Sequence, residues 1–378
     1  MPIQPKFKPT VKSEFSRILR ERVNSYFKDG NISTHANGEM VVKSILLTIS
    51  WFGVYYFLIF GNLPLAYTFP LWGLLGAIIA LVCVNIGHDA IHGAYTKKKW
   101  LKNILCHTFN INGASAYMWK ISHNHAHHTY TNVHGHDEDI TPGDFFRISP
   151  ETPLLKIHKY QHIYAFFSYT LATLSWVFAK DYVQFFQNKI NNYDQNRHSV
   201  KEYFLLFFYK ILNYSIYLVI PIMVMPFSWT NVVGGYLIMH AVSGFYLAII
   251  FMLAHAVEEV HFPLPDEEGV IEDDWIIHQM HTTANFATRS WLAGFLTGGL
   301  NTQIEHHLFA NICSIHYRPL SKIIKDTCEE YGMPYYDIPT FGAAIASHWR
   351  FLKKMGESKD YKPTTPKLNA QKVKLAHA

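Results

Sequence analysis

Three short runs of this sequence carry imidazole at spacings that suit metal binding. They are His88-Asp89-Ala90-Ile91-His92, His123-Asn124-His125-Ala126-His127-His128 and Gln303-Ile304-Glu305-His306-His307. Residues four apart share one face of a helix. His88 with His92, and His123 with His127, therefore each offer two ring nitrogens to one point. His128 is turned about 100° from His127 on a helix, so the pair can serve two neighbouring ions. His306 and His307 offer the same geometry, with Gln303 about one turn earlier. Imidazole suits iron, zinc and copper, whereas magnesium and calcium want more oxygen donors. One such pair arises by chance on surface helices. Three clusters together have no comparable structural explanation.

The chain holds 23 histidines, and the rest are less telling. His255 ends an apolar run as His88 does, and on residues alone it reads equally well as a ligand or as a packed helix residue. His240 lies deeper in the same run and reads as packed or hydrogen-bonded. His125, His134 and His136 adjoin the second cluster, and spacing does not exclude them. His278 and His281 follow an acidic loop and read as support for the ligands or as exposed. His35, His198, His348 and His377 read as surface residues. Metal-bound imidazoles usually give their second N–H to a carboxylate or carbonyl. Asp89 and Glu305 lie inside clusters and fit that part. Asp137 and Asp139 fit it too, or are solvated loop acids.

These clusters need elements to position them. The 378 residues are 49% hydrophobic and 16% charged, against roughly 25% charged in an ordinary soluble domain. The missing charge is local. No Asp, Glu, Lys or Arg occurs in the 45 residues from Ser44 to His88 or the 47 from Ile211 to Val257. About 20 apolar residues cross the roughly 30 Å of bilayer hydrocarbon, so each run is long enough for two crossings. Gly61-Asn62-Leu63-Pro64 and Pro226-Phe227-Ser228-Trp229 supply the turns. Soluble helices show a polar face and these show none, which argues against two buried hairpins of a soluble protein. The expected fold is an all-α integral membrane protein: four transmembrane helices as two hairpins, about residues 41–60, 65–86, 204–225 and 230–254, capped by a cytoplasmic helical domain.

Lysines and arginines precede the first run, Lys97, Lys98, Lys99 and Lys102 follow it, and the two turns are uncharged. The positive-inside rule then places both termini and all three clusters in the cytoplasm. A full crossing by the apolar stretch Tyr160–Ala179 would put the third cluster on the other side. Parity therefore predicts an interfacial or re-entrant segment there. Residues 1–40 form a cytoplasmic segment without the apolar core of a secretory leader. Val11 to Phe27 reads as an amphipathic helix, either on the membrane surface or solvated. Residues 41–355 form the membrane domain and 356–378 a flexible tail. The net charge of +5 fits attraction to anionic inner-leaflet lipid, and no nucleic-acid motif accompanies it. The four cysteines form no CxxC pair, so reduced structural thiols are expected.

The clusters and their order resemble the integral-membrane fatty acid desaturases. The match is His88-x3-His92, His123-x3-His127-His128 and Gln303-x2-His306-His307. Trp119 ahead of the second cluster, Thr129-Tyr130-Thr131-Asn132 after it, and Leu308-Phe309 after the third extend it. The similarity covers roughly residues 40 to 350. Glutamine in the third cluster is similar to the front-end group and its bacterial acyl-lipid or acyl-CoA relatives. The resemblance implies a non-haem di-iron centre with His88, His92, His123, His127, His128, His255, Gln303, His306 and His307 as ligands, Gln303 standing where other branches have histidine. It implies O2-dependent removal of two hydrogens from adjacent methylenes, giving a cis alkene and two waters. The carrier of the chain is CoA, acyl carrier protein or glycerolipid. No His-Pro-Gly-Gly haem motif occurs in the sequence, so no fused haem domain is expected. Electrons then come from a separate ferredoxin or cytochrome b5 type donor, and the basic N-terminus and Lys97–Lys102 offer a docking surface.

Two other readings compete. A lipid hydroxylase or ketolase shares the scaffold, and the glutamine-containing third cluster favours desaturation. A metal transporter needs ligands near the bilayer midplane, whereas these clusters lie at the ends of apolar runs.

Overall fold

The computed structural model describes residues 4–8, 14–140, 143–190, 193–194, 198–359 and 361–363. Among these residues four helices are long and apolar enough to cross a membrane: Gly38–Phe60, Leu65–His92, Val200–Val224 and Trp229–His255. The Asn37 side chain caps the first, accepting from Met40 N at 2.9 Å. Gly61 ends it, and Pro64 opens the second. The second and fourth form the most extensive helix pair. They approach so closely that a Cβ on Gly76 would lie 2.2 Å from the Met239 carbonyl oxygen. The first and third lie outside them and expose large apolar side chains, among them Ile45, Ile49, Phe52, Phe204 and Ile211. Such a contiguous apolar surface is costly in water and favoured in lipid.

The stretch Tyr160–Ala179 is not one helix. It is broken into Gln161–Tyr169, Ala172–Ser175 and the π-turn Trp176–Lys180. Nine residues of α-helix reach only roughly 14 Å. The break docks on the fourth apolar helix, where Thr173 Oγ1 donates to the His240 carbonyl at 2.9 Å.

The N-terminal helix Glu14–Asp29 exists, but its apolar face meets neither membrane nor solvent. Phe15, Leu19, Val23 and Phe27 recur every four residues and are buried with Leu320, Ile324 and Cys328 of helix Tyr317–Tyr331. Among the described residues the regular structure is helical apart from three two-stranded ladders: Lys6–Phe7 with Val270–Ile271, Lys189–Ile190 with Tyr193–Asp194, and Asn285–Phe286 with Asp337–Ile338. His348 is a correction to the surface reading. It is fully buried, with Nδ1 2.6 Å from the Ala256 carbonyl oxygen and Nε2 2.8 Å from the Tyr169 hydroxyl. Its helix, Phe341–Glu357, packs its inner face on the hydrophobic core that the apolar helices share, a placement that local sequence does not announce. His198 and His35 are also half-buried, His198 stacked on Phe185 at 3.9 Å. His377 and most of the expected tail lie outside the described residues.

Candidate metal centre

The three clusters meet. His88 and His92 end the second apolar helix, just after a π-turn at Cys83–Gly87. His123 and His127 lie on a second π-helical segment, Lys120–His127. Such widened turns recur at functional sites. Gly87 lets helix Lys99–Ile111 come close, since a Cβ there would stand 2.3 Å from the Phe109 ring. His306 and His307 lie on the fully buried helix Gln303–Leu308.

The rings sort into two lobes. His88, His92, His123 and His306 place their ligand nitrogens within 4.8 Å of one another, and so do His127, His255 and His307. His128 lies between, its ring 4.6 Å from His306 and 4.3 Å from His307. His255, the residue left open by spacing, thus stands in the second lobe with His127, ring centres 4.7 Å apart. Gln303 is buried in the same helix, one turn before His307, with an amide nitrogen that meets no partner among the described residues.

Each lobe is held from behind. His127 Nδ1 lies 2.9 Å from Asp137 Oδ2. Burial alone would raise the Asp137 carboxyl. His127 and the backbone N–H groups of Asn132 and Asp139 outweigh burial and hold it below the ordinary carboxylate value. Asp137 is therefore the acceptor and His127 the donor. His307 Nδ1 donates to Gln279 Oε1 at 2.8 Å, and His255 Nδ1 to the Thr282 carbonyl at 3.3 Å. His306 Nδ1 lies 3.1 Å from the Tyr317 hydroxyl. Asn132 ties the second lobe together. Its side-chain nitrogen donates to the carbonyls of His255, His261 and Thr282 at 3.1 to 3.3 Å. Its backbone adopts φ 59°, a conformation that asparagine tolerates better than most residues.

The two acids inside the clusters act differently. Asp89 Oδ2 accepts from Cys313 Sγ, Ser314 N and Ser314 Oγ at 2.9 to 3.1 Å, and its other oxygen lies 3.5 Å from His88 Nδ1. It fastens the first cluster to the chain after the third. Glu305 accepts from Asn285 and Tyr335, not from an imidazole, and so anchors its helix. Asp139 stands 3.6 Å from His123 Nδ1 and 3.7 Å from His127 Nδ1.

The remaining histidines stand apart from both lobes. His125 is exposed, and His134 and His136 are half-buried. His240 Nδ1 lies 3.0 Å from Thr173 Oγ1. His281 pairs with Asp273 at 2.8 Å. His278 is buried edge-on to Phe7 at 5.2 Å. Gln279, Tyr317 and Thr282 carried no signal in the sequence, because an isolated polar residue or a backbone carbonyl has no motif.

Burial, and then the neighbouring imidazoles, push His123, His128, His306 and His307 well below the ordinary imidazole value. The rings are thus neutral, each with one nitrogen lone pair available. The buried Nε2 atoms of His88, His92, His127, His255, His306 and His307 meet no hydrogen-bond partner among the described residues. Each such orphan costs about 1–3 kcal/mol. Six converging on two points fit transition-metal ions well. A small apolar pocket adjoins the second lobe, lined by His127, His255, Asp139, Ile140, Ile148, Phe251, Met252 and Ala256.

Comparison with known proteins agrees with this chemistry. The family model described as Fatty acid desaturase matches residues 66–339. The sn-1 linoleoyl-lipid 6-desaturase of Synechocystis is 36% identical over 93% of this chain and 98% of its own. The acyl-lipid (8-3)-desaturase of Physcomitrium patens is 35% identical over 91% of this chain and 72% of its own. Delta(5) fatty acid desaturase A of Dictyostelium discoideum is 32% identical over 94% and 78%. The histidine clusters, the apolar helices and these relatives together place the chain in the fatty acid desaturase family, in its front-end branch.

Proposed function

We propose that this membrane desaturase introduces a cis double bond into the acyl chain of a glycerolipid, using O2 and two electrons from a separate donor protein. The balance is R–CH2–CH2–R′ + O2 + 2 electrons + 2 H⁺ giving R–CH=CH–R′ + 2 H2O. The observation that carries it is the set of six buried Nε2 atoms, five from the three clusters and one from His255, that converge without a hydrogen-bond partner among the described residues. Relatives named for acyl-lipid and linoleoyl-lipid substrates support the glycerolipid carrier.

His88, His92, His123 and His306 would hold one iron, and His127, His255 and His307 the other. His128 would face the junction, and Gln303 would complete the set. When bound, the iron pair supplies the redox chemistry that turns O2 into an oxidant able to cleave an unactivated C–H bond. The chain supplies the rest. Asp137, Gln279 and the Thr282 carbonyl fix the tautomers that aim Nε2 inward. Phe251, Met252, Ile140 and Ile148 keep the second lobe apolar, the surroundings that suit an acyl methylene pair better than water.

The topology supporting this is two hairpins with termini and metal centre on the cytoplasmic side, and 160–179 as a re-entrant wedge. Docking of Thr173 on His240, fifteen residues before His255, supports the wedge, because that depth is roughly 22 Å along a helix. Cysteine labelling on either side of the wedge tests it. Opposite-side accessibility of the two flanks would sink it. The activity is tested by expression in a host of defined lipid composition, with chromatography of fatty acids with and without O2. New O2-dependent unsaturation is expected. Its absence with a competent donor present defeats the reading.

A further inference from the structure

The segment that carries the second cluster has two chemically opposed faces. Its inner face presents His123 and His127, both buried. Its outer face presents Lys120 and His125, both exposed. A helix with side chains is about 10–12 Å across, so solvent lies one helix width from the imidazoles here. Along the chain that builds this face the charge is one-sided. Between Ala90 and His136 there are five lysines and no carboxylate. Lys97, Lys98 and Lys99 are exposed at the start of helix Lys99–Ile111. Phe109 of that helix meets Trp119 at 5.3 Å, which brings the helix beside Lys120. Lys102 and Lys120 both stand near the Cys106 thiol.

Trp119 links this surface to the metal centre. It immediately precedes Lys120. Its ring stacks on His123 at 4.0 Å and 24°, and lies edge-on to His88 at 5.5 Å and His92 at 5.6 Å. One indole thus touches three imidazoles of the first lobe.

We propose that this lysine-rimmed face is the docking site of an acidic one-electron carrier protein, and that Trp119 is the aromatic contact through which its electrons reach the first lobe. The proposal rests on the reading that the centre consumes two external electrons. Anionic lipid headgroups would account for Lys97 to Lys102 beside a bilayer. They give no reason for a basic outer face on the metal-binding segment itself, or for an indole bridging it to three imidazoles.

The full chain, iron-loaded in nanodiscs of neutral phosphatidylcholine, tests this with two soluble probes: a plant-type ferredoxin and a cytochrome b5 haem domain. Binding of at least one is expected, weakening as salt rises. The variant Lys99→Glu/Lys102→Glu/Lys120→Glu should weaken it at least about tenfold and flatten its salt dependence, with iron content retained. Trp119→Leu should leave carrier affinity intact and slow reduction of the centre about tenfold, with Trp119→Phe recovering most of the rate. Unchanged affinity and salt slope in the triple variant overturn the docking site. Unchanged reduction in Trp119→Leu overturns the link. Carrier binding that appears only when anionic lipid is added, and ignores the triple variant, also overturns the proposal. Normal carrier binding without any lipid product would instead defeat the desaturase reading alone.

Discussion

Asp137 stands directly behind His127, Oδ2 to Nδ1 at 2.9 Å, with both side chains buried. This contact decides which nitrogen faces the metal. An ionised carboxylate only accepts, so the proton stays on Nδ1 and the Nε2 lone pair points into the lobe. Asp137→Asn keeps the shape but removes the charge, and its amide can present a donor to Nδ1. Metal affinity should fall by about 10–100-fold, read by chelator competition. An unchanged affinity would show that the carboxylate does not set the tautomer.

A pH effect follows from the buried imidazoles. His123, His128, His306 and His307 have folded values well below the ordinary 6.5. The unfolded chain takes up protons as pH falls through 6.5, while these folded rings stay neutral. Stability is thus full above 6.5 and declines on acidification below it, until the folded rings themselves protonate. The metal-free chain should lose thermal stability between about pH 7 and pH 5. Replacing His306 with an uncharged isostere should lessen that loss. A midpoint that stays flat over this range would refute the assignment of neutral rings.

The sequence disclosed the chemistry better than its scaffolding. The four apolar helices were legible because a bilayer demands long uncharged runs, and Gly61 to Pro64 and Pro226 to Trp229 marked the turns. The histidine clusters were legible because four-residue spacing survives folding. Gln279 and Tyr317 were not legible, since each reaches its histidine only through tertiary packing. The face of Glu14–Asp29 was visible as amphipathic, but periodicity does not say whether protein or lipid covers it. His348 misled because a histidine on a helix carries no mark of which way the helix turns. Glu305 lay inside a cluster, yet it serves Asn285 and Tyr335, because adjacency in sequence is not adjacency of side chains.

Lys210 and Asp181 form a buried ion pair at 2.8 Å. The ammonium also donates to the Gly113 and Trp176 carbonyls, and Asp181 accepts from Ser115 N. The pair joins the third apolar helix to helix Asp181–Phe186, which follows the broken segment. Removing one partner strands the other charge, so Lys210→Met should cost about 3–5 kcal/mol. Lys210→Met/Asp181→Leu should recover part of this, but not all, because Ser115 N loses its acceptor. A double variant no more stable than the single one would show that the pair is not the dominant link, as read from thermal or detergent denaturation.

Two glycines on one helix give a sharper test of how the metal centre is positioned. A Cβ on Gly76 would stand 2.2 Å from the Met239 carbonyl oxygen, and backbone cannot swing aside as a side chain can. A Cβ on Gly73 would find its nearest neighbour at 3.6 Å, an ordinary contact with Ile238. Gly73→Ala should be neutral or gain up to about 1 kcal/mol from helix propensity. Gly76→Ala should instead lose about 1–3 kcal/mol by forcing the two helices apart. These helices end in His88 and His92 on one side and His255 on the other, so their separation also sets the spacing of the two lobes. Gly76→Ala should therefore lower bound iron as well as stability, whereas Gly73→Ala should change neither iron content nor product. Equal behaviour of the two variants would mean that this helix contact does not govern the centre.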